Sequence, residues 1–196
     1  MVISVGALLR VFTIILFIAW WFYWTITERE ADREKPKTVT IPVSGLFLRR
    51  WFTLIIEVVL LLQLLGLQIL PLSGDPFLVQ VIGFAIVVAG VSISFSARNT
   101  LGTNWTHAYE YQVKKGHSLV TSGIYAYIRH PIYTGLYLAL IGGELVAQSY
   151  VALLFLLLFI GGHWQARQEE TLLLKYFGSS YKSYMKRTKM FIPFLW

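Results

Sequence analysis

The chain has 196 residues, of which 56% are hydrophobic and 14% charged, and its mean hydropathy is +0.61. Soluble domains carry about a quarter charged residues, so this composition indicates an integral membrane protein. The absence of cysteine excludes a disulfide framework, a thiolate nucleophile and cysteine-ligated zinc or iron–sulfur sites. The formal net charge of +7 comes from cations beside apolar runs, which favours membrane lipids as partners and predicts no nucleic acid.

Four apolar segments follow one another along the chain. The first, Val5 to Ile26, is too long for a signal-peptide core and lacks a small-residue cleavage site, so we expect it to remain as a helix. Two more, Trp51 to Leu70 and Phe77 to Phe95, approach the ~20 residues that cross a bilayer as a helix. The charged stretch TEREADREKPKTVTIP is predicted to be a solvated cytoplasmic loop. The last segment, Ile132 to Ile160, is long for one helix and short for two.

The distribution of charge decides the number of crossings. Six cations lie between the first two apolar segments, four follow the third and six end the chain, whereas the connection PLSGDP has none. The positive-inside rule therefore places PLSGDP and the N-terminus outside and the three basic regions, with the C-terminus, in the cytoplasm. Ile132 to Ile160 must then cross twice, as a tight helical hairpin that turns near Gln148 and Ser149.

These inferences define the predicted fold class. It is an all-α integral membrane protein with about five transmembrane helices, the last two forming the hairpin. Residues 1–100 would form an N-terminal three-helix region, and residues 101–196 a second region with the hairpin and a C-terminal cytoplasmic helix.

Two polar regions, Ser96 to Pro131 and His163 to Trp196, flank the hairpin on the predicted cytoplasmic side. A functional site should therefore lie there. The helical spacing of apolar residues before Gly178, a residue suited to ending a helix, places Glu169 and Glu170 on a helix that continues out of the membrane. These carboxylates either serve the site or form a solvated helix face that pairs with nearby cations.

The dipeptide His130-Pro131 directly precedes the hairpin. Proline suits the first turn of a helix because it has no amide hydrogen, and it holds His130 extended before it. The free amide donors at such a helix start suit an anionic group. The structural alternative is that Arg129 meets lipid phosphate, Tyr127 and Tyr133 lie in an interfacial aromatic belt, and Pro131 only begins the helix.

Spacing argues against two other chemistries. The histidines lack the clustered spacings of membrane di-iron enzymes: His107, His117, His130 and His163. No metal site is therefore expected. The stretch EETLLLK is similar to part of an intramembrane prenyl protease, but Leu173 stands where those proteases have an arginine. Glu57 and Glu144 lie inside apolar segments, where a carboxylate faces a bundle interior or cavity, or forms a helix–helix contact.

An ordered set of motifs in the second half of the chain resembles a known family. The motifs are LGTNW, KKGHSLVTSGIYAYIRHPIYTG, RQEETLLLKYFGSSYKSYMKR and a final proline, Pro193. They look like the isoprenylcysteine carboxyl methyltransferases and the related phospholipid N-methyltransferases, which are integral membrane enzymes. The resemblance covers roughly Leu101 to Pro193, about half of the chain, and implies that residues 101–196 form the catalytic methyltransferase core.

The resemblance implies a methyltransferase that uses S-adenosylmethionine without a Rossmann fold, in keeping with the absence of a GxGxxG turn. The positions carried over as cofactor-binding are His117, Ser118, Leu119, Val120, Tyr125, His130, Pro131, Ile132, Tyr133 and Glu169. Those left for catalysis or for an anionic substrate group are Arg129, Arg167 and Glu170. The pocket would lie at the cytoplasmic end of the fourth span, and the lipophilic substrate would enter between helices.

One position departs from the family pattern. Gln165 stands four residues before Glu169, where the isoprenylcysteine enzymes align a substrate-carboxylate arginine; Arg167 lies about 200° around the helix and is no simple substitute. The acceptor therefore stays open between a carboxylate, which needs no base, and a phospholipid amine, which must lose a proton, for example to Glu169, Glu170 or His130. A sterol-reductase-like enzyme using NADPH and a non-catalytic membrane scaffold are the alternatives outside methylation.

Overall fold

The structure, a computed structural model, describes residues 4–34, 37–40, 46–73, 77–105, 112–114 and 116–195. The helices and strands in this part of the chain are α1 (Val5–Glu34), β1 (Lys37–Thr40), α2 (Leu46–Leu64), α3 (Phe77–Leu101), β2 (Gln112–Lys114), α4 (Pro131–Val146), α5 (Val151–Phe177) and α6 (Ser179–Arg187). Short 3₁₀ turns lie at Gly102–Asn104 and Gly123–Ala126. The helical architecture agrees with the predicted fold class, to which it adds an antiparallel ribbon of β1 and β2.

The helix bounds differ from those of the predicted apolar segments. The charged stretch is not simply a loop, because α1 continues through its first half to Glu34, where Glu, Arg and Ala favour helix. α2 ends at Leu64, since the backbone then turns with positive φ at Gly66 and Leu70. α5 ends before Gly178, as predicted. His107 and parts of the charged stretch and of PLSGDP lie outside the described residues.

Several helices have the character of membrane spans. By length and composition, two segments among the described residues could cross a membrane: Val5–Glu30 and Phe77–Asn104. Two further apolar helices are shorter, at Trp51–Leu64 and Pro131–Val146. Many large apolar side chains on α1, α2 and α3 are exposed, as expected for surfaces that face lipid. The predicted boundary between residues 100 and 101 falls in the last turn of α3, and that division stays a prediction.

α3 and α4 meet backbone to backbone through glycines. A Cβ atom on Gly90 would lie 2.5 Å from the amide nitrogen of Ala139 and 2.6 Å from the carbonyl oxygen of Gly135. A Cβ atom on Gly142 would lie 2.6 Å from the carbonyl oxygen of Gly83. Small residues allow this close approach, which is common between membrane helices. The contact is antiparallel and fixes where α4 begins.

α4 and α5 form the predicted hairpin, which turns at residues 147–150. Gln148 has a φ of 63° within the turn. The Ser149 hydroxyl donates to the carbonyl oxygen of Ile69 at 2.8 Å, and the Tyr150 amide donates to that of Leu70 at 2.8 Å. The hairpin turn is therefore fastened to the segment that follows α2.

The two carboxylates in apolar segments have different environments. Glu144 is buried, and the side-chain amide of Gln63 donates to both its oxygens at 3.0 and 2.9 Å. It therefore forms a contact between α4 and α2. Glu57 is exposed on α2, so the expectation that it faces a bundle interior is not met.

The last part of the chain crosses the loop that precedes α4. The Arg129 amide donates to the carbonyl oxygen of Lys189 at 2.9 Å, and the His130 amide donates to that of Met190 at 3.0 Å. Met190 packs with Ala166 of α5 in a buried cluster. The C-terminal segment thus holds the start of α4 against α5.

Candidate active site

A cleft lies where α4 begins and α5 ends. Its empty space, including the open mouth, is about 940 Å³. Its walls come from the end of α3, the loop before α4, the start of α4, and the end of α5 with α6. The lining residues are Leu101, Asn104, Trp105, His117, Ser118, Leu119, Val120, Tyr125, Arg129, His130, Ile132, Tyr133, Glu169, Leu172, Leu173, Phe177, Tyr181 and Tyr184.

The cleft gathers most of the residues that the sequence nominated. Nine of the ten positions assigned to the cofactor line it, and the tenth, Pro131, is buried at the first position of α4. Of the three assigned to catalysis, Arg129 lines the cleft and Glu170 bonds to its wall. Arg167 does not belong to the lining, because it points to an exposed side of α5, where its Nε lies 2.7 Å from Nε2 of His163.

His130 is held rigidly at the base of the cleft. Its side chain is buried and stacks on the ring of Tyr133, with centroids 5.5 Å apart. Its Nε2 lies 3.2 Å from a carboxylate oxygen of Glu170, and its Nδ1 lies 3.8 Å from one of Glu169. The imidazole therefore sits between two carboxylates from consecutive positions of α5.

Glu170 joins His130 to Arg129. The Arg129 Nε donates to the Glu170 carboxylate at 2.5 Å, and its Nη1 donates to the carbonyl oxygen of Thr188 at 2.6 Å. Burial alone would raise the pKa of Glu170, but the hydrogen bonds and charges of His130 and Arg129 outweigh it and hold that pKa below its ordinary value. Glu170 is thus a carboxylate that stays ionised and positions two wall residues.

Glu169 is the more accessible of the two carboxylates. Its side chain is 34% exposed, against 6% for Glu170. The Tyr133 hydroxyl donates to it at 3.2 Å, and the side-chain amide of Gln165 lies 3.4 Å from the same hydroxyl. A polar network therefore connects the cleft to Gln165, the residue that stands where the isoprenylcysteine enzymes align an arginine.

Asn104, which the sequence analysis did not assign to the site, fixes one wall. Its side-chain nitrogen donates to the Ser118 hydroxyl at 3.1 Å, and its side-chain oxygen accepts from the Ser118 amide at 3.1 Å. Asn104 belongs to the LGTNW motif, so the motif was the signal that could have found it. It ties the end of α3 to the loop of residues 117–120.

Arg98 braces the same motif from behind. It is 2% exposed and donates to the carbonyl oxygens of Gly102 at 2.7 Å and Thr27 at 2.6 Å. Its guanidinium also lies 4.7 Å from the ring centroid of Trp105, which lines the cleft. The cleft wall is thereby linked to α1.

Three tyrosines, two of them from α6, form an aromatic wall. Burial raises the pKa of Tyr125, Tyr181 and Tyr184 above the ordinary value, so these phenols remain protonated at neutral pH. The Tyr184 hydroxyl donates to the carbonyl oxygen of Tyr125 at 2.7 Å. Neutral aromatic rings next to the Glu169 carboxylate attract a cation. Within the described residues, no group of three His, Asp or Glu side chains could hold a metal ion.

Comparison with known proteins gives matches over the part of the chain that supplies most of the cleft residues. Residues 81–175 match the sequence model of the isoprenylcysteine carboxyl methyltransferase (ICMT) family. The protein-S-isoprenylcysteine O-methyltransferase of Schizosaccharomyces pombe is 31% identical over 118 residues, which cover 59% of this chain and 50% of that protein. The Homo sapiens protein of the same name is 32% identical over 118 residues, 59% of this chain and 42% of that one. The chain spans about half the length of these relatives.

Two further matches extend over more of this chain. A protein of Oryza sativa subsp. indica, named a probable protein-S-isoprenylcysteine O-methyltransferase, is 24% identical over 79% of this chain and 82% of its own length. A solved structure of the eukaryotic intramembrane Ras methyltransferase ICMT has a TM-score of 0.56 and 22% identity, covering 88% of this chain and 53% of that one. These findings confirm the resemblance carried by the motifs: over residues 81–175, this chain matches the isoprenylcysteine carboxyl methyltransferase family.

Proposed function

We propose that this protein is a membrane methyltransferase that uses S-adenosylmethionine to methylate a lipophilic acceptor, in a reaction resembling isoprenylcysteine carboxyl O-methylation. One observation carries the proposal: the loop 117–120, the start of α4 and Glu169 of α5, distant in sequence, converge on one cleft. The similarity to proteins named as isoprenylcysteine O-methyltransferases supports the same activity.

The cleft fits the proposed cofactor by its chemistry. S-adenosylmethionine supplies a methyl group activated on a sulfonium cation. The faces of the aromatic wall attract such a cation, and the Glu169 carboxylate accepts a hydrogen bond from a donor on the cofactor. The loop of residues 117–120, held by Asn104, offers polar groups for the ends of the molecule. His130 and Tyr133 form the wall at the start of α4.

The described residues suit a methyl transfer that depends on aligning the reacting groups and excluding water, and that needs no nucleophile from the protein. An in-line displacement gains from holding the two reacting groups together and from excluding water. The buried side chains of Tyr125, Tyr181 and His130 provide that exclusion. The lipophilic half of the acceptor would reach the cleft laterally, between helices.

The acceptor is either a carboxylate or an amine. A carboxylate is ionised near neutral pH and needs no base, whereas an amine must lose a proton. Glu169 is then the accessible base, because Glu170 is committed to Arg129 and His130. Among the described lining residues, Arg129 is the cation that could hold a substrate carboxylate, but its Nε already bonds to Glu170. An amine acceptor should therefore be tested as well as a carboxylate acceptor.

The proposed arrangement in the membrane follows from charge. Five helices cross the bilayer with the N-terminus outside, and the cleft faces the cytoplasm, where a water-soluble cofactor is available. The partners are the lipophilic substrate and membrane lipids, with no role for nucleic acid.

The test is transfer of a radiolabelled methyl group from S-adenosylmethionine by the purified protein in lipid vesicles. A farnesylated cysteine and phosphatidylethanolamine are offered separately. Label released by base from the farnesylated cysteine shows a methyl ester, and base-stable label on the phospholipid shows an N-methyl group. Either result supports the proposal, which predicts loss of transfer in Glu169→Ala and retention in Glu57→Gln. No label in either acceptor contradicts it.

A further inference from the structure

α6 presents two different faces. Its inner face carries Tyr181 and Tyr184, which are buried and line the cleft. Its outer face carries Lys182, Lys186 and Arg187, all exposed. At about 100° per residue, Lys182 and Lys186 lie on the side of the helix opposite the tyrosines, and Arg187 lies at the edge of this outer face. Residues 179–196 contain no Asp or Glu, so this face has no internal counter-charge.

The residues that follow α6 expose large apolar side chains. Phe194 is 83% exposed and Leu195 is 77% exposed, and Ile192 is also exposed. The Phe194 ring lies 6.5 Å from the ring of Tyr127, which is exposed as well. A cationic helix face alone would suit water, but a contiguous apolar and aromatic tip beside it is typical of a segment at a membrane interface.

We propose that this surface, which we call the tail surface, docks onto the anionic phospholipid headgroups of the membrane in which the protein is embedded. It consists of Lys182, Lys186, Arg187, Ile192, Phe194 and Leu195. The cations attract the negative surface potential of the leaflet, and the apolar tip enters the boundary between headgroups and acyl chains. An acidic protein or a nucleic acid would satisfy the cations but leave the tip in water.

Docking of the tail surface has a consequence for the cleft. The same helix supplies Tyr181 and Tyr184 to the wall, and the strand-like segment after it bonds to the backbone of Arg129 and His130. Because both faces belong to α6, docking its outer face on the membrane should also reduce the motion of Tyr181 and Tyr184 on its inner face. Anionic lipid should then tighten cofactor binding, an effect that rests on the proposed function, whereas docking itself does not.

The test is amide hydrogen exchange of residues 179–195 in lipid nanodiscs. The full chain is compared in discs of phosphatidylcholine alone and in discs with about 30% phosphatidylglycerol. We expect exchange in this segment to slow about threefold or more in the anionic discs, and salt at about 0.5 M to abolish the difference. The double variant Lys182→Gln with Lys186→Gln should exchange equally in both discs.

Two controls identify the cause of the slower exchange. One separates the effect of charge from that of side-chain shape, and the other separates lipid headgroups from a free anion. Ser180→Gln with Ser183→Gln introduces the same side chains on exposed positions of α6 without changing charge, and it should keep the response to lipid. Soluble glycerol phosphate added to neutral discs should have no effect. Equal exchange in both discs by the intact protein, an undiminished response in the lysine variant, or full protection by glycerol phosphate would overturn the proposal.

Adenosylhomocysteine affinity, measured in the same discs, tests the consequence separately. We expect binding to tighten about threefold in anionic discs for the intact protein and not for the lysine variant. Protection of residues 179–195 without any adenosylhomocysteine binding would uphold docking and reject the proposed function. Binding that is equal in both discs would reject the coupling between docking and cleft.

Discussion

Glu170 and Glu169 are adjacent in sequence but have different tasks in the structure. Glu170 is buried between Arg129 and His130, so its negative charge is balanced inside the protein. Glu169 reaches the cleft and stays partly exposed. The same Glu→Gln substitution can therefore be made at both positions, with a change in stability expected at Glu170 and a change in ligand binding expected at Glu169.

Glu170→Gln should destabilise the protein strongly. The substitution keeps the shape of the side chain but leaves the largely buried guanidinium of Arg129 without its counter-charge, which costs about 3 kcal/mol. Thermal unfolding in detergent measures the change, with Glu169→Gln as the matched control. Equal unfolding temperatures for the two variants would mean that the Arg129–Glu170 pair does not hold the wall.

The same carboxylate should make stability depend on pH in the acid range. Because the folded-state pKa of Glu170 is lowered, its contribution is present above the unfolded-state value, near 4.5, and is lost as the pH falls through the folded-state value. The intact protein should therefore lose its advantage over Glu170→Gln progressively below about pH 4.5. Parallel unfolding curves for both proteins across this range would contradict the assignment.

The sequence indicated which residues line the cleft better than it indicated which side chains bond to one another. The motifs assigned His117 and Glu169 to one site, and both residues line the same cleft in the structure. They could not show that Arg167 points to an exposed face or that Asn104 bonds to Ser118. Those facts depend on helix rotation and on the path of the chain between motifs.

Among the elements, the α3–α4 contact sets the position of the whole site. Gly90→Ala should destabilise the protein by about 2 kcal/mol, because the added methyl group meets backbone atoms of α4 at 2.5 and 2.6 Å and the helices must separate. Gly161→Ala on α5 is the matched control, since no neighbouring atom lies within 4 Å of the added carbon. Thermal unfolding of both variants measures the difference. Unchanged stability of Gly90→Ala would show that the helices do not approach this closely.

The loop of residues 117–120 depends on the turn after α3. Asn104→Ala removes two exposed hydrogen bonds to Ser118, so we expect little change in stability but about tenfold weaker adenosylhomocysteine binding. Asn99→Ala is the control, because Asn99 bonds to Tyr23 and does not line the cleft. Calorimetric titration measures both variants. Equal affinities would remove the loop from the cofactor site.

The elements themselves were predictable to different degrees. Proline chemistry, a local signal, predicted the start of α4 at Pro131, and the distribution of charge required a hairpin, whose turn was predicted near Gln148. The end of α1 at Glu34 was missed, since charge was taken as a sign of loop although the residues favour helix. The ribbon of β1 and β2 joins strands distant in sequence, which no local pattern indicates.

At the scale of the whole molecule, charge asymmetry implies a definite orientation. The segment after α2 carries no Lys or Arg through PLSGDP, whereas the C-terminal segment carries several. The proposed orientation, with the hairpin turn outside and the cleft on the cytoplasmic side, rests on that asymmetry. The absence of native cysteine makes the orientation directly measurable with single introduced thiols.

Ser73→Cys and Ser183→Cys report the two sides of the membrane. A membrane-impermeant maleimide added to intact cells should label Ser73→Cys, which precedes α3. It should label Ser183→Cys, on α6, only after the cells are permeabilised. Labelling of Ser183→Cys in intact cells would reverse the proposed orientation and place the cleft outside.

The most direct test of the account is a titration of the detergent-solubilised protein with S-adenosylmethionine and, separately, with NADPH, followed by thermal shift. We predict saturable stabilisation by S-adenosylmethionine and none by NADPH, with binding weakened about tenfold or more in Glu169→Ala and unchanged in Glu57→Gln. Stabilisation by NADPH alone, or by neither compound, would contradict the assignment of the cleft to methyl transfer.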